Sequence, residues 1–180
     1  TTGDFDLSVA SVMGLSSMLI AVLNARMGMP VGGAILIALL AGLAIGAVNA
    51  FFILYFKVFS LIVTLGTGYF TAGLILWVSD GATIAGVSMG LVKAVVLTKL
   101  FGIPVGFYYA LVLAAGLWYL FNRTRVGKIM RAAALDRDMA EALCINTRMV
   151  VTGVFAFGAW LAGVGGVIAA PMRTIDPGMG

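Results

Sequence analysis

Long apolar runs alternate with short polar connections along the whole chain. Windows without Asp, Glu, Lys or Arg cover residues 7–25, 27–56, 58–79, 100–122 and 149–172. Each is about as long as the roughly 20 apolar residues that an α-helix needs to cross a bilayer. Strands of a membrane barrel would instead alternate between apolar and polar residues. The pattern predicts an all-α integral membrane protein, a polytopic helical bundle with about five spans, near residues 8–23, 33–55, 58–79, 103–121 and 149–170.

The charge is concentrated in one connection, residues 123–148, between the fourth and fifth apolar windows. Six of the eleven basic residues lie there: Arg123, Arg125, Lys128, Arg131, Arg137 and Arg148. Short connections rich in Lys and Arg stay in the cytosol. Alternating the spans from this point places Lys57 on the cytosolic side and residues 80–102 outside, with Asp4 and Asp6 toward the cytosol.

Composition supports the membrane class and limits the chemistry. The chain is 62% hydrophobic and 10% charged, whereas soluble domains have roughly 25% charged residues. Its net charge of +4 follows from the cytosolic basic residues and does not indicate nucleic acid binding. With one cysteine and no histidine, it can form neither an internal disulfide nor a histidine-containing metal site. We expect no cofactor, no metal and no catalytic residues, because no nucleophile and base pair is recognisable.

The charged connection carries an apolar stripe. Leu135, Met139 and Leu143 recur at four-residue spacing, which predicts one short amphipathic helix. The stripe could seal the inner surface of the bundle, or it could fit the groove of a partner protein. Neighbouring small residues, including Ala133 and Ala140, would allow that partner to approach closely.

Small residues recur at helical spacing within two spans. The second span has Ala34, Ala38, Gly42, Gly46 and Ala50, and the last has Gly158, Ala162 and Gly166. Such rows allow helix backbones to approach closely in lipid. They predict tight helix packing, although a role in lining a solute path is also possible.

Several polar residues lie within or beside the apolar windows. Asn49 lies in the second span, while Thr64, Thr67 and Thr71 follow one face of the third. Buried polar groups in lipid need partners, so these groups either form hydrogen bonds between helices or contact a passing polar solute. Near the N-terminus, Asp6 or Ser8 could cap the first helix. The candidate residues for a solute path are Asp4, Asp6, Asn49, Thr64 and Thr67.

Longer motifs resemble the membrane permease subunits of bacterial ABC importers for monosaccharides and branched-chain amino acids. GDFDLSVAS at 3–11 is similar to the G-x-D-L-S-V-G-S motif of ribose-type sugar permeases, and FSLIVTLGTGYFTAGL at 59–74 is similar to their following span. FGIPVGFYYALVLAAGLWYLFNRTRVG at 101–127 continues that pattern. RAAALDRDMAEALCINTRMV at 131–150 and the final APMRTIDPGMG are more similar to the amino acid permeases. The longer sugar-type match slightly favours a monosaccharide over a branched-chain amino acid.

The resemblance implies a subunit of a multi-pass importer in the bacterial inner membrane. Its partners would be an ABC ATPase subunit, an extracytoplasmic solute-binding protein, a second permease subunit and membrane lipid. Residues 1–180 would form a single transmembrane permease domain, with a cytoplasmic coupling loop at 122–148 and a coupling helix at 133–143. The implied contacts with the ATPase are Gly127, Ala133, Asp136, Met139, Ala140, Leu143 and Ile145. ATP hydrolysis would belong to the partner, because this chain has no G-x-x-x-x-G-K-[ST] phosphate loop.

The chain departs from this family in the coupling loop and in length. Cys144 stands where the family commonly has a glycine, which would end the coupling helix in a left-handed conformation. A cysteine adopts that conformation only at a steric cost, so the helix either ends under strain or ends differently. Family members are longer, so we expect a chain that is incomplete at both ends. Two other classes stay open, a self-sufficient channel or ion-coupled carrier and a structural or nonfunctional membrane fragment.

Overall fold

The computed structural model describes residues 6–84, 87–172 and 177, except for the side chains of Arg137 and Asp138. The helices are α1 Val9–Ala21, α2 Val31–Tyr55, α3 Ser60–Ser79, α4 Met89–Val92, α5 Val105–Arg123, α6 Arg125–Leu135, α7 Arg137–Ala142 and α8 Thr147–Ala169. Turns of π-helix, Val22–Arg26 and Lys93–Leu97, extend α1 and α4, and a 3₁₀ turn, Ala170–Met172, follows α8. Two short strands, β1 Lys99–Leu100 and β2 Ile103–Pro104, form a hairpin that the sequence analysis did not predict.

Five of these helices are long and apolar enough to cross a membrane: α1 with its π-helical extension, α2, α3, α5 and α8 with its 3₁₀ extension. The predicted all-α polytopic bundle is therefore confirmed. Residues with restricted or left-handed backbones mark the ends of the spans. Pro30 and Pro104 directly precede α2 and α5, and Asp80 and Gly81 end α3 with φ of 55° and 68°. A proline before a helix loses no internal hydrogen bond, and a left-handed residue ends the helical repeat.

Close backbone approach holds α2 against α8. A Cβ added to Gly42 would lie 3.0 Å from the Ala159 carbonyl oxygen, and one added to Gly46 would lie 2.6 Å from that of Phe155. The contacts on α8 move toward its N-terminus as those on α2 move toward its C-terminus, so the two helices are antiparallel. The row of small residues in α2 is buried throughout, as the sequence predicts: Ala34, Ala38, Gly42, Gly46 and Ala50.

The predicted row in α8 is only partly correct. Ala162 and Gly166 are buried, but Gly158 is half-buried and has open space where a Cβ would lie. The buried face instead includes Phe155 and Ala159. A spacing of four residues drifts around a helix of 3.6 residues per turn, so a row defined by sequence alone can leave the contact face.

Helix α1 lies between α2, α3 and α8 and is the most deeply buried span. Its Ser17 hydroxyl donates to the Gly166 carbonyl oxygen at 2.9 Å. Arg26 forms a salt bridge of 3.1 Å with Asp80, just beyond the end of α3. Helices α1, α3 and α8 therefore run in one direction and α2 in the other, the alternation that five consecutive crossings require.

Candidate functional site

The charged connection forms two helices at one end of the bundle. Thr124 caps the start of α6, since its hydroxyl oxygen accepts from the Gly127 N–H at 3.2 Å and its hydroxyl donates to the Leu120 carbonyl at 2.6 Å. Gly127 is buried, and a Cβ there would lie 2.5 Å from the Leu120 carbonyl oxygen and still closer to that of Phe121. A glycine at 127 is required because α6 turns back directly under the end of α5.

The predicted single coupling helix at 133–143 is wrong, because Asp136 interrupts it. Asp136 has an extended backbone, φ −150° and ψ 109°, and separates α6 from α7. Its carboxylate accepts from the Met139 N–H at 3.0 Å, which makes Asp136 the N-cap of α7. Aspartate competes with the helix for backbone hydrogen bonds, and here that local bond prevails over the apolar periodicity. Leu135 therefore belongs to a different helix from Met139 and Leu143.

Helix α7 ends at a left-handed cysteine. The Cys144 N–H donates to the Glu141 carbonyl at 2.9 Å, and the Ile145 N–H donates to the Ala140 carbonyl at 3.1 Å. This pair of bonds is the Schellman motif, whose left-handed position is usually a glycine. Cys144 has φ of 60°, so of the two predicted outcomes the strained end is the one that occurs. The strain costs roughly 1–2 kcal/mol relative to glycine.

The residues predicted to contact an ATPase differ in how far they are exposed to solvent. Ala133 and Ala140 are buried, at 7% and 2% exposed, so they permit close approach to this chain's own helices and not to a partner. Met139 and Leu143 are exposed, at 65% and 66%, and Asp136 is exposed as well. Ile145 is half-buried, and Gly127 is buried under α5.

The three apolar residues of the predicted stripe, Leu135, Met139 and Leu143, are all exposed, and we call this set the apolar connection surface; Val126 and Ile129 of α6 are exposed as well. Leu135 is 82% exposed. An exposed apolar group in a polar connection is not explained by lipid contact along a span, and such groups commonly mark a protein interface. Within the described residues, these three exposed side chains are available for such a contact.

Sequence reasoning missed the bonds that fix the connection to the bundle. The Thr147 hydroxyl donates to a Glu141 carboxylate oxygen at 2.5 Å and is buried, which joins α7 to the first turn of α8. Asn146 caps α8 by accepting from the Met149 N–H at 3.2 Å. The Asn–Thr pair ahead of an apolar run was an available signal for a helix start.

A chain of hydrogen bonds links three polar side chains at the same end of the bundle. The Asn49 amide donates to the Ser8 hydroxyl at 2.9 Å, and that hydroxyl donates to the Asp6 carboxylate at 2.6 Å. The Ser8 N–H also donates to Asp6, at 2.9 Å. Neither residue makes a capping bond to α1, so the capping prediction is wrong. Two predicted path residues, Asp6 and Asn49, are instead brought together through Ser8.

Asn49 is fully buried. Its side-chain oxygen has no partner among the described residues. An unsatisfied buried amide oxygen costs about 1–3 kcal/mol, so a further hydrogen-bond donor at this oxygen would be stabilising. Asp4, also predicted to lie on the path, falls outside the described residues.

Thr64 is fully buried in α3. It lines a cavity of about 300 Å³ between the start of α1 and α3, together with Leu7, Ser11, Gly68 and Tyr69. Tyr69 is exposed, at 79%. The cavity thus combines a largely apolar wall with the side chains of Ser11, Thr64 and Tyr69.

Thr67 and Thr71 do not share this environment, although they lie on the same predicted face. The Thr67 hydroxyl donates to the carbonyls of Val63 and Thr64 in its own helix, at 3.0 and 3.2 Å. Thr71 is fully buried, and its hydroxyl has no partner within the described ranges. The structure therefore links Asp6 to Asn49 by hydrogen bonds, and it places Thr64, but not Thr67, at the cavity.

Comparison with known proteins gives consistent matches along the chain. A family model described as branched-chain amino acid transport system / permease component matches residues 1–180. The D-allose transport system permease protein of Escherichia coli is 31% identical over 178 residues, 97% of this chain and 54% of the relative. The autoinducer 2 import system permease protein LsrC of Salmonella typhimurium is 30% identical over 171 residues, 94% and 48%. LsrD of Salmonella choleraesuis is 31% identical over 173 residues, 93% and 52%.

The chain spans about half the length of the curated relatives that it matches. No solved structure matches it.

Proposed function

We propose, because this chain belongs to the family described as branched-chain amino acid transport system / permease component, that it is a permease subunit of an ABC importer for a monosaccharide. It is a multi-pass protein of the inner membrane and a transport component, not an enzyme. The observation that carries the solute class is the match over 97% of the chain to a D-allose permease. ATP hydrolysis would be performed by a partner subunit.

The proposed partners follow from the family. An extracytoplasmic binding protein would deliver the solute, a second permease subunit would complete the path, and an ATPase subunit would bind the connection. In this proposal residues 1–180 act as a single permease domain and 122–148 as its coupling loop. The apolar connection surface would enter the ATPase groove, while Gly127, Ala133 and Ala140 keep α6 and α7 against the bundle.

The bonds at the two ends of α7 support a coupling role. The Asp136 cap orients its first turn, and the Glu141–Thr147 bond ties its last turn to α8. A displacement of α7 by a bound ATPase would thus be passed to α8, which packs along the full length of α2. Helix α2 carries Asn49 into the proposed solute path.

For the solute path we propose Asn49 and Thr64 as polar contacts, Asp6 as the residue that positions Asn49, and Tyr69 as a ring that stacks on the apolar face of a sugar. The support is the buried Asn49 oxygen and the neighbouring cavity of about 300 Å³. Asp6 would act by holding Ser8, and through it the Asn49 side chain. Thr67, whose hydroxyl is bonded within its own helix, contributes less.

The coupling proposal is tested by copurification of the full-length gene product with the products of its neighbouring genes. Met139→Glu with Leu143→Glu places charge on the apolar connection surface and should release a copurifying ATPase. The matched control is Lys99→Glu, an exposed change in the hairpin beyond the other end of the bundle. Retention of the ATPase by the double variant, or its absence from the wild type, would refute the coupling assignment.

The solute class is tested by uptake in cells that express the complete transporter. Competition by unlabelled monosaccharides, but not by leucine or valine, is the expected result. A branched-chain amino acid is the second candidate, favoured by the description of the family model. Inhibition by leucine alone would establish it and overturn the monosaccharide assignment.

A further inference from the structure

A groove on the outer surface of α2 and α8 combines an apolar wall with two cations. It has a volume of about 500 Å³ and lies at the end of the bundle that carries the charged connection. Its lining includes Ala47, Phe51, Leu54 and Tyr55 of α2, together with Lys57 and Arg148. The apolar part lies along α2, Lys57 lies just beyond the end of α2, and Arg148 lies in the first turn of α8.

Aromatic rings mark the depth of this groove in the bilayer. Phe51 and Tyr55 stack with their ring centroids 5.3 Å apart, and both are exposed, at 53% and 73%. Phe52 and Phe56 extend the cluster around the last two turns of α2. Tyrosine rings favour the boundary between acyl chains and headgroups, and Tyr55 is the amphipathic ring of this cluster. The groove therefore places its apolar wall beside acyl chains and its cations beside headgroups.

The headgroup end of the groove carries two positive charges. Lys57 and Arg148 are exposed, and neither lies within salt-bridge distance of a carboxylate among the described residues. The ion pair formed by those residues, Arg26–Asp80, lies at the other end of the bundle. Glu141 does not line the groove, but it lines an adjacent cavity of about 390 Å³ together with Lys57 and Arg148, and there its carboxylate accepts from the Thr147 hydroxyl. The N-terminus of α8, immediately before Arg148, adds partial positive charge.

Lys57 occupies its position at a steric cost. It has φ of 52° in the turn between α2 and α3, a left-handed conformation that a glycine adopts freely. A side chain kept in such a conformation commonly serves a function. Here the ammonium group is the part of Lys57 that a glycine could not supply.

We propose that this groove binds an anionic phospholipid, with its phosphate between Lys57 and Arg148 and an acyl chain along Phe51 and Leu54. Basic residues between membrane helices on the cytosolic side suit such headgroups. The charge complementarity and the continuous apolar wall together favour a lipid over a free phosphate. This site lies on the outside of the bundle, apart from the proposed solute path.

The test uses the full-length gene product in detergent, titrated with phosphatidylglycerol or with phosphatidylcholine of the same acyl chains. Native mass spectrometry measures the affinity of the tightest lipid. We expect Lys57→Gly and Arg148→Gln each to weaken phosphatidylglycerol binding about fivefold, and both together about 25-fold, since each basic residue near an anionic headgroup contributes about that factor. Lys57→Gly relieves backbone strain, so a loss of binding cannot be attributed to misfolding.

Arg125→Gln is the matched control, because Arg125 is exposed in the same connection but does not line the groove. Unchanged phosphatidylglycerol binding in the double variant, or equal binding of phosphatidylcholine by the wild type, overturns the proposal. A photo-crosslinking phenylalanine analogue at position 51 identifies the occupant directly. Crosslinks to phosphatidylglycerol support the proposal, whereas crosslinks to another part of the protein or to a second copy overturn it.

Discussion

The close contact of α2 with α8 gives the sharpest stability prediction, through Gly46→Ala. A Cβ at this position would lie 2.6 Å from the Phe155 carbonyl oxygen and 2.8 Å from both the Ala156 Cα and the Ala159 Cβ. Ordinary contact begins at 3.4 Å, so the helices must separate locally by about 0.8 Å. Two of the three atoms are backbone, and no rotamer change can relieve the clash.

The cost can be estimated from the separation. Radial gaps of 0.5–1 Å forfeit a quarter to a half of each dispersion contact, and overpacked cores lose about 1–3 kcal/mol. Replacing glycine by alanine within a helix also gains up to about 1 kcal/mol from helix propensity. A control variant with the same glycine-to-alanine change at an open helical position makes the same gain, so the difference in stability between the two variants reports the clash. Gly158→Ala, in α8, has nothing within 4 Å of its added Cβ.

The assay is unfolding of the full-length protein in mixed detergent micelles, followed by circular dichroism. We expect Gly46→Ala to have a free energy of unfolding about 1–3 kcal/mol lower than Gly158→Ala. Gly158→Ala itself should be at least as stable as the wild type. Equal stability of the two variants would refute the inference that backbone contact at Gly46 holds α2 and α8 together.

Three further predictions concern single residues and use the same unfolding assay. Cys144→Gly should stabilise the protein by about 1 kcal/mol, because glycine adopts the left-handed end of α7 without strain; a loss of stability would contradict the Schellman assignment. Asp136→Ala should cost about 1 kcal/mol while Asp136→Asn costs little, because only the alanine removes the cap; equal losses would point to the charge instead. Arg26→Ala should change stability by less than about 1 kcal/mol, because its salt bridge with Asp80 is exposed; a larger loss would show that the pair supports the outer end of the bundle.

Much of the local structure could be predicted because its causes are local. Transfer into lipid depends on the composition of each window, so the five spans follow from charge-free runs. The left-handed end of α7 could be predicted because the family that the chain resembles commonly has a glycine at the position of Cys144. By contrast, the periodicity of Leu135, Met139 and Leu143 predicted one helix, and the Asp136 cap divides it in two. Two local signals competed, and apolar spacing was the weaker one.

The sequence by itself determined the class, the number of spans and the concentration of charge at one connection. Only the tertiary structure decided which face of each span is buried, including Phe155 and Ala159 where the row through Gly158 had been expected. It also decided that Asn49 bonds Ser8, 41 residues away along the chain. The physical reason is that lipid is as apolar as the interior of the bundle. Hydrophobicity therefore marks where a helix crosses the membrane, while shape and hydrogen bonding between helices select the partner of each face.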